Sequence, residues 1–341
     1  MSSPLLPFAV EEEDSFRLRL KEALQVLAQR GIYIGGSSWK YPGWLGQIYT
    51  ESRYQTRGKL SQKRFAAECL AEYAEIFPTV GGDFSFYNFP SAEQWAKMFG
   101  AAPQLLFGLK APEMVTVKQW PSHARYGSRG GTENEQFLDA GLMTRAFLEP
   151  LAPYAQQVGV VMLEFGTFAR STYAEPRAFV DDLDHFLAAL PPAFRYAVEL
   201  RNPEYLQSDY FDCLRSNHVA HVFNAWSRMP TLGEQIEREE AYTADFLVSR
   251  ALLRRGRVYE QAVKSFEPYL HVQDPYPEAR DALAQIGRRA ELEKRIAFLF
   301  VNNRLEGNAP ETIMAVAEML RQEKALSGDD AQGEAPPACI G

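Results

Sequence analysis

The sequence predicts a single (β/α)8 barrel, in which eight parallel strands form a central barrel surrounded by helices. Eight short apolar runs recur along the 341 residues. Most of these runs are continuously apolar rather than alternating, which is typical of parallel strands that are covered on both faces. Segments with helical spacing of apolar residues separate the runs. Eight strand–helix alternations favour a closed barrel.

The chain begins with a predicted helix, and the barrel follows it. Apolar residues from Phe16 to Leu27 have helical spacing and predict a helix over 14–30 that ends before Gly31. The segment "SGDDAQGEAPPACIG" at the other end is small, polar and rich in Pro and Gly, so we expect it to be disordered. The predicted organisation is an N-terminal extension and helix (1–30), a barrel domain (31–326) and a disordered tail (327–341).

The eight apolar runs are the predicted barrel strands, taken in chain order. The seventh region, "SRALLRRGRVYEQAV", also fits a helix. The predicted strands lie within 32–38, 79–87, 105–112, 159–166, 196–202, 220–226, 245–252 and 297–304.

Helical segments are predicted between and after these strands. A doubly wound open sheet is the alternative architecture, but no G-x-G-x-x-G fingerprint opens a helix after an early strand. The predicted helices lie within 60–77, 134–158, 176–190, 290–297 and 309–326.

Composition and charge argue against several classes of protein. A formal net charge of -8 and a pI of about 5.4 argue against a general nucleic-acid binder, which needs a concentrated basic surface, but they leave a local basic patch open. Three distant cysteines have neither metal-ligand spacing nor a disulfide pattern, which predicts a reducing cytoplasm. We expect neither a signal peptide nor a membrane span. None of the five histidines ends a predicted strand, so no zinc site is predicted.

Polar side chains end nearly every predicted strand. The carboxyl ends of barrel strands meet at one rim, where ligand sites are built. Residues two apart on a strand share a face, as Glu199 and Arg201 do. In a purely structural alternative Glu164 pairs with Lys110 and Glu199 with Arg201. Because an unpaired buried polar group costs about 1–3 kcal/mol, polar residues on nearly every strand predict a pocket.

Five segments resemble the domain of unknown function 72 family, a barrel family without a settled activity. Their order on successive strands carries the resemblance, which covers 31–322. The segments are "IYIGGSSWKYPGWLGQIY" (32–49), "FSFYNFPS" (84–91), "FGLKAPEMVT" (107–116), "VELRNPEY" (198–205) and "FVNNRLEGNAP" (300–310).

The chain departs from the family pattern at several strand ends. Gly81 and Asp83 stand where the family usually has Glu and Asn, and Val117 and Asn202 replace histidines. On strand four the family usually has a segment like Gln-Leu-Pro, whereas this chain has "LEFG", with Glu164. Strand six has Asn224 instead of Asp, and strand seven lacks a clear Tyr-x-Arg. The resemblance implies the fold, and the departures suggest a divergent subgroup that could bind a different ligand.

Three residues are the candidate catalytic groups: Glu164, Glu199 and Lys110. Two carboxylates on adjacent strands suit general acid–base catalysis or a retaining glycosidase pair. They could also hold a magnesium ion, although no feature of the sequence requires one. Lys110 could form a Schiff base, but binding an anion or a carboxylate is the simpler role.

The remaining rim residues are candidates for substrate binding, without a metal or cofactor. The predicted function is an enzyme, a hydrolase or isomerase, that acts on a small carbohydrate-like or phosphorylated ligand. The alternative is a non-catalytic binding protein, for example for single-stranded nucleic acid. The loop 118–137 is predicted to act as a lid. The binding candidates are Trp39, Tyr87, Arg201, Asn224, Trp226, Arg250, Asn302, Asn303 and Arg304.

Overall fold

Eight parallel strands form one sheet in the computed structural model, which describes residues 8–169 and 171–329. Each strand pairs with the strand that follows it in the chain from β2 to β8, and β8 pairs with β1. The strands are β1 (Ile32–Gly36), β2 (Thr79–Gly82), β3 (Leu106–Lys110), β4 (Val158–Phe165), β5 (Tyr196–Leu200), β6 (Ala220–Ala225), β7 (Phe246–Ala251) and β8 (Ile296–Val301).

A tyrosine hydroxyl bridges the seam between β1 and β2, the two ends of the strand order. The Tyr73 hydroxyl accepts a hydrogen bond from Gly36 N–H at 2.8 Å and donates one to the Thr79 carbonyl at 2.9 Å. The backbones approach so closely that a Cβ on Gly35 would lie 1.9 Å from the Thr79 carbonyl oxygen. The barrel is therefore nearly closed, which confirms the predicted fold class.

Helices of eight or more residues surround the barrel. They are α1 (Phe8–Gln29), α2 (Gln62–Tyr73), α3 (Ala92–Ala101), α4 (Pro176–Ala188), α5 (Ser208–Ser216), α6 (Tyr259–Phe266), α7 (Pro277–Leu292) and α8 (Ala309–Asp329).

Shorter elements connect them, including an antiparallel ribbon of Gln55–Thr56 and Lys59–Leu60. The short helical segments are Pro42–Trp44, Glu51–Tyr54, Glu113–Thr116, Ala124–Arg129, Ala140–Met143, Thr144–Leu148, Glu149–Leu151, Ala152–Gln157, Pro203–Tyr205, Leu232–Ile236 and Glu239–Ala241.

Several predicted boundaries differ from the structure. The helix predicted over 290–297 is wrong in its second half: α7 ends at Leu292, and Lys294, at φ 55°, turns the chain into β8. The helix predicted over 134–158 is a series of short segments instead. Helix α8 continues to Asp329, past the predicted start of the tail. The rest of that tail, 330–341, lies outside the described residues, as do residues 1–7.

Large and small residues alternate inside the barrel. Phe298 and Phe300 fill its centre, and glycines on the opposite strands make room for them. A Cβ on Gly108 would lie 2.4 Å from the Phe300 ring, and one on Gly159 would lie 2.6 Å from the Phe298 ring. The interior is thus a packed apolar core, and the space for polar chemistry lies beyond it, at the carboxyl ends of the strands.

Candidate functional site

A layer of charged residues continues the inward-facing columns of the barrel. Inward positions alternate along each strand, so Lys110 follows Gly108 on β3 and Glu164 follows Met162 on β4. Arg250 likewise follows Val248 on β7. Glu199 and Arg201 continue the column that contains Ala197, a member of the barrel-interior cluster. The strand pattern therefore directs these charged side chains into the same end of the barrel.

Three cations converge on one oxygen of Glu164. Its Oε2 lies 2.9 Å from Lys110 Nζ, 3.0 Å from Arg201 Nη2 and 2.5 Å from Arg250 Nη1. Within 8–169 and 171–329 no hydrogen bond reaches its Oε1. The side chain remains 14% exposed. Glu164 is thus ion-paired through one oxygen and keeps the other for a further partner.

Both oxygens of Glu199 are occupied. Its Oε1 accepts hydrogen bonds from Arg201 Nε at 2.9 Å and lies 2.8 Å from Arg201 Nη2. Its Oε2 accepts a hydrogen bond from Arg250. The carboxylate is fully buried. Glu199 therefore orients two arginines, and the pairs of the structural alternative, Glu164 with Lys110 and Glu199 with Arg201, are both present.

Asp83 completes the arrangement and was absent from the sequence-based candidates. Its carboxylate lies 3.3 Å from Lys110 Nζ and 3.6 Å from Arg250 Nη2, and it is 48% exposed. Three carboxylates and three cations thus balance in charge. We call these six residues the charge cluster: Asp83, Lys110, Glu164, Glu199, Arg201 and Arg250.

The cations of the charge cluster keep Glu164 ionised. Burial by itself would raise the pKa of this carboxyl, but Arg201, Lys110 and Arg250 hold the pKa well below its usual range. Burial by itself would lower the pKa of Arg250, but Glu199, Glu164 and Asp83 raise it overall. Glu164 is consequently unsuited to donating a proton near neutral pH.

Aromatic rings cover two of the three cations. Lys110 Nζ lies 3.7 Å from the centre of the Phe86 ring, and Arg201 Cζ lies 3.7 Å from the Trp226 ring. Phe86 in turn contacts Tyr87 at a centroid distance of 5.0 Å. These contacts exclude water from one side of each charge, which strengthens its interactions with the carboxylates.

The loop 118–137 docks beside these rings. Arg125 Cζ lies 3.5 Å from the centre of the Tyr87 ring. Tyr126 donates a hydrogen bond of 2.9 Å to the buried carboxylate of Glu113, which also lies 3.5 Å from Arg125. The Tyr87 ring thus contacts an arginine of the loop and lies at the edge of the charge cluster, next to Phe86.

The other predicted binding residues have different surroundings. Trp39 lies with Phe84 in a separate cavity of about 390 Å³ between α2 and α3. Asn302 Oδ1 accepts a hydrogen bond from the Arg304 backbone N–H, and Asn303 Oδ1 accepts one from Trp44 Nε1 at 3.2 Å. These two asparagines shape the turn after β8.

Five buried polar atoms at the carboxyl ends of the strands have no hydrogen-bond partner among the described residues. Buried polar atoms are normally satisfied by protein or by ordered water. A group of unsatisfied atoms at one end of the barrel therefore indicates a place for water or a ligand. The atoms are Ser37 Oγ, Asn224 Oδ1, Arg250 Nε, Asn303 Nδ2 and Arg304 Nε.

Neither a metal-ligand cluster nor a membrane-spanning helix is present among the described residues. In 8–169 and 171–329, no group of three or more His, Cys, Asp and Glu side chains is arranged to hold a metal ion. No helix in these ranges is long and apolar enough to cross a membrane.

Comparison with known proteins identifies relatives of uncharacterised function. The profile of the family "Protein of unknown function DUF72" matches residues 33–337. The UPF0759 protein YecE of Escherichia coli K12 is 26% identical over 178 residues, which are 51% of this chain and 50% of that protein. The chain thus spans about half the length of the curated relatives that it matches.

Two crystal structures of family proteins share the fold. A DUF72 family protein from Thermotoga maritima MSB8 has a TM-score of 0.56 and 22% identity, covering 85% of this chain and 98% of that one. A second, from Enterococcus faecalis V583, has a TM-score of 0.56 and 18% identity, covering 85% and 95% respectively. The family resemblance inferred from the sequence is confirmed, and these structures support the barrel fold alone.

Proposed function

The chain belongs to the family described as Protein of unknown function DUF72, and on that premise we propose that it is an enzyme acting on a small polar ligand. The ligand is carbohydrate-like or phosphorylated, and it binds at the carboxyl end of the barrel. One observation carries the proposal: the charge cluster presents two carboxylates, Glu164 and Asp83, that keep exposed surface beside buried cations. The carboxylates can accept hydrogen bonds from hydroxyl groups of a ligand, and the cations can bind a polarised oxygen of the same ligand.

In this proposal Asp83, Glu164 and Lys110 contact the ligand, and Glu199 positions other residues. Asp83 is 48% exposed and acts as the general base, while Glu164 accepts a hydrogen bond from a ligand hydroxyl through Oε1. Lys110 donates to a ligand oxygen and stabilises negative charge that develops there. Glu199 positions Arg201 and Arg250 and does not contact the ligand.

The geometry supports an isomerase-type proton transfer better than glycoside hydrolysis. A glycosidase needs one carboxyl that is protonated before it donates to the leaving group. Glu164 stays ionised because Arg201 and Lys110 lie against it. Removal of a proton next to a carbonyl group requires instead an exposed carboxylate as the base and a cation at the carbonyl oxygen, which Asp83 and Lys110 supply.

Binding of single-stranded nucleic acid receives less support. Such proteins combine a basic groove with exposed aromatic rings. Here Arg201 and Arg250 are neutralised by carboxylates, and Arg125 covers the exposed ring of Tyr87. A cytoplasmic setting is part of the proposal, since Cys69 and Cys213 are buried free thiols.

A thermal-shift screen against sugars, sugar phosphates and hydroxy acids tests the proposal. A ligand at about 100 times its Kd should add roughly 2.7 kcal/mol to the free energy of unfolding. Asp83→Asn and Glu164→Gln should lose this response. Asp209→Asn is the matched control, because Asp209 pairs with Arg177 on the surface at 2.7 Å and should leave the response unchanged. A wild-type response that survives in both cluster variants would refute the proposed site.

A further inference from the structure

The rim cations differ in whether a carboxylate neutralises them. Lys110, Arg201 and Arg250 each contact two or three carboxylates of the charge cluster. Arg304, on the turn after β8, has no carboxylate within 4.0 Å among the residues that the structure describes. Within these residues its positive charge therefore has no counterion in direct contact.

Aromatic residues hold the Arg304 side chain in place. Its Cζ lies 4.5 Å from the centre of the Tyr259 ring. Its Nε is buried and has no hydrogen-bond partner among the described residues. The backbone N–H of Arg304 donates a hydrogen bond of 3.0 Å to Asn302 Oδ1, which fixes the turn. The guanidinium is thus positioned and has unused donor capacity, which is the condition for binding an anion.

Arg304 lies close to the charge cluster. Arg201 stacks on Trp226 at 3.7 Å, and the Trp226 and Tyr259 ring centres are 6.4 Å apart. Tyr259 carries Arg304 on its ring. One chain of contacts therefore joins Glu199, through its arginine and two aromatic rings, to Arg304.

Two further tyrosines lie near Arg304, whose charge acts to lower the pKa of both. Tyr41 packs edge-on against Tyr269, with ring centres 5.5 Å apart. Burial raises the pKa of Tyr41 to about 12; Arg304 acts in the opposite direction and Asp83 in the same direction as burial. Tyr41 is thus within electrostatic reach of both residues and keeps its hydroxyl proton near neutral pH, available as a donor.

We propose that Arg304, with Tyr41, Tyr259 and Tyr269 around it, binds the anionic group of the ligand, a phosphate or a carboxylate. The hydroxyl-bearing part of the same ligand then contacts Asp83 and the rest of the charge cluster. The guanidinium fork matches two oxygens of either anion. This inference rests on the proposed function and narrows the substrate class to phosphorylated or carboxylated hydroxy compounds.

Titration with simple anions tests the site directly. Inorganic phosphate and acetate are added at constant ionic strength, set with sodium chloride, while the melting temperature is followed. We expect one of the two anions to stabilise the wild-type protein. Which anion does so shows whether the site prefers a phosphate or a carboxylate. Arg304→Gln should weaken that anion at least roughly tenfold, because a hydrogen bond to a charged group is lost. Arg304→Lys keeps the charge without the fork and should bind with intermediate affinity.

Arg254→Gln is the matched control. Arg254 also stacks on a tyrosine, with its Cζ 4.4 Å from the Tyr276 ring, but it pairs with Asp274 at 3.2 Å. This variant should bind the anion as the wild type does. The inference is overturned if neither anion stabilises the wild type, if Arg304→Gln binds unchanged, or if Arg254→Gln loses as much affinity.

The anion site and the proposed enzyme can fail separately. Asp83→Asn should keep the response to the simple anion, since Asp83 does not contact that group in the proposal. If Arg304→Gln loses the anion response while no metabolite response depends on Asp83, the anion site stands and the enzyme is rejected. If a metabolite response is lost in Asp83→Asn but unchanged in Arg304→Gln, the enzyme stands and the anion site is rejected.

Discussion

At the residue scale, Glu164 and Glu199 have different environments. The sequence had made both of them candidate catalytic groups on equal terms. Glu199 is fully buried and gives both oxygens to arginines. Glu164 receives three cations on one oxygen and keeps some exposed surface. Their strand positions are equivalent, since the two residues are register partners on β4 and β5. The side chains that reach these carboxylates from other strands, and not the strand pattern, determine what each carboxylate can do.

Glu199→Gln should therefore destabilise the fold more than Glu164→Gln. Removing the charge of Glu199 leaves Arg201 and Arg250 buried with one carboxylate fewer, and breaking a buried ion pair costs about 3–5 kcal/mol. The free energy of unfolding from urea titration at pH 7.5 measures both losses. Wild-type stability in Glu199→Gln, together with a lost ligand response, would instead make Glu199 a residue that contacts the ligand.

Residue-level reasoning from the sequence left Asp83 out of the site candidates, and it did not foresee the separate cavity that Trp39 lines. The sequence extended strand two through Tyr87, whereas β2 ends at Gly82 and the chain then turns. Asp83 thereby enters the charge cluster from a turn, where strand parity does not apply. Trp39 also lies beyond its strand, β1, and its ring packs towards Phe84 between two helices. Side chains in turns depend on loop paths that periodicity does not encode.

At the element scale, strand β6 carries a histidine on its outward face. His221 packs against helix α5, where the Tyr210 hydroxyl lies 3.0 Å from its Nδ1. Burial lowers the pKa of His221 to about 3, although the nearby Gln235 acts in the opposite direction. The ring is therefore neutral in the folded protein across the ordinary pH range, and it serves packing between sheet and helix.

The free energy of unfolding should fall as the pH falls from 6.5 towards 3. Between these values the unfolded chain protonates His221 and the folded chain does not, so acid favours unfolding. One pH unit below 6.5 the loss from this residue is about 1.4 kcal/mol. Urea titrations at pH 7.5 and 5.5 measure it, and His221→Gln should reduce the difference by about that amount.

His218→Asn is the control for this pH dependence. His218 is exposed and has a φ of 56°, which asparagine tolerates. Its replacement should leave the difference between the two pH values unchanged. An equal difference in wild type and His221→Gln would show that His221 is protonated in the folded protein or contributes nothing to the acid sensitivity.

At the scale of the whole molecule, most of the architecture followed from the alternation of apolar runs and helical segments. Parity within strands also placed Lys110, Glu199 and Arg201 at one rim. It could not show that Arg250 reaches from β7 to contact both glutamates, on β4 and β5. Such contacts depend on the curvature of the barrel and on side-chain length. Residue periodicity does not predict the ligand either, because ligand identity depends on which rim charges remain without a partner.

Hydrogen exchange with and without ligand is the most direct test of the central claim, that the ligand site lies at the carboxyl end of the barrel. The wild-type protein would be compared alone and with the most stabilising compound or anion of the screens above. We predict slower exchange in the segments 83–90, 118–137 and 302–308, which border the charge cluster and Arg304. Slower exchange confined to 62–73 and 92–101, the helices α2 and α3 that border the cavity of Trp39, would contradict the account.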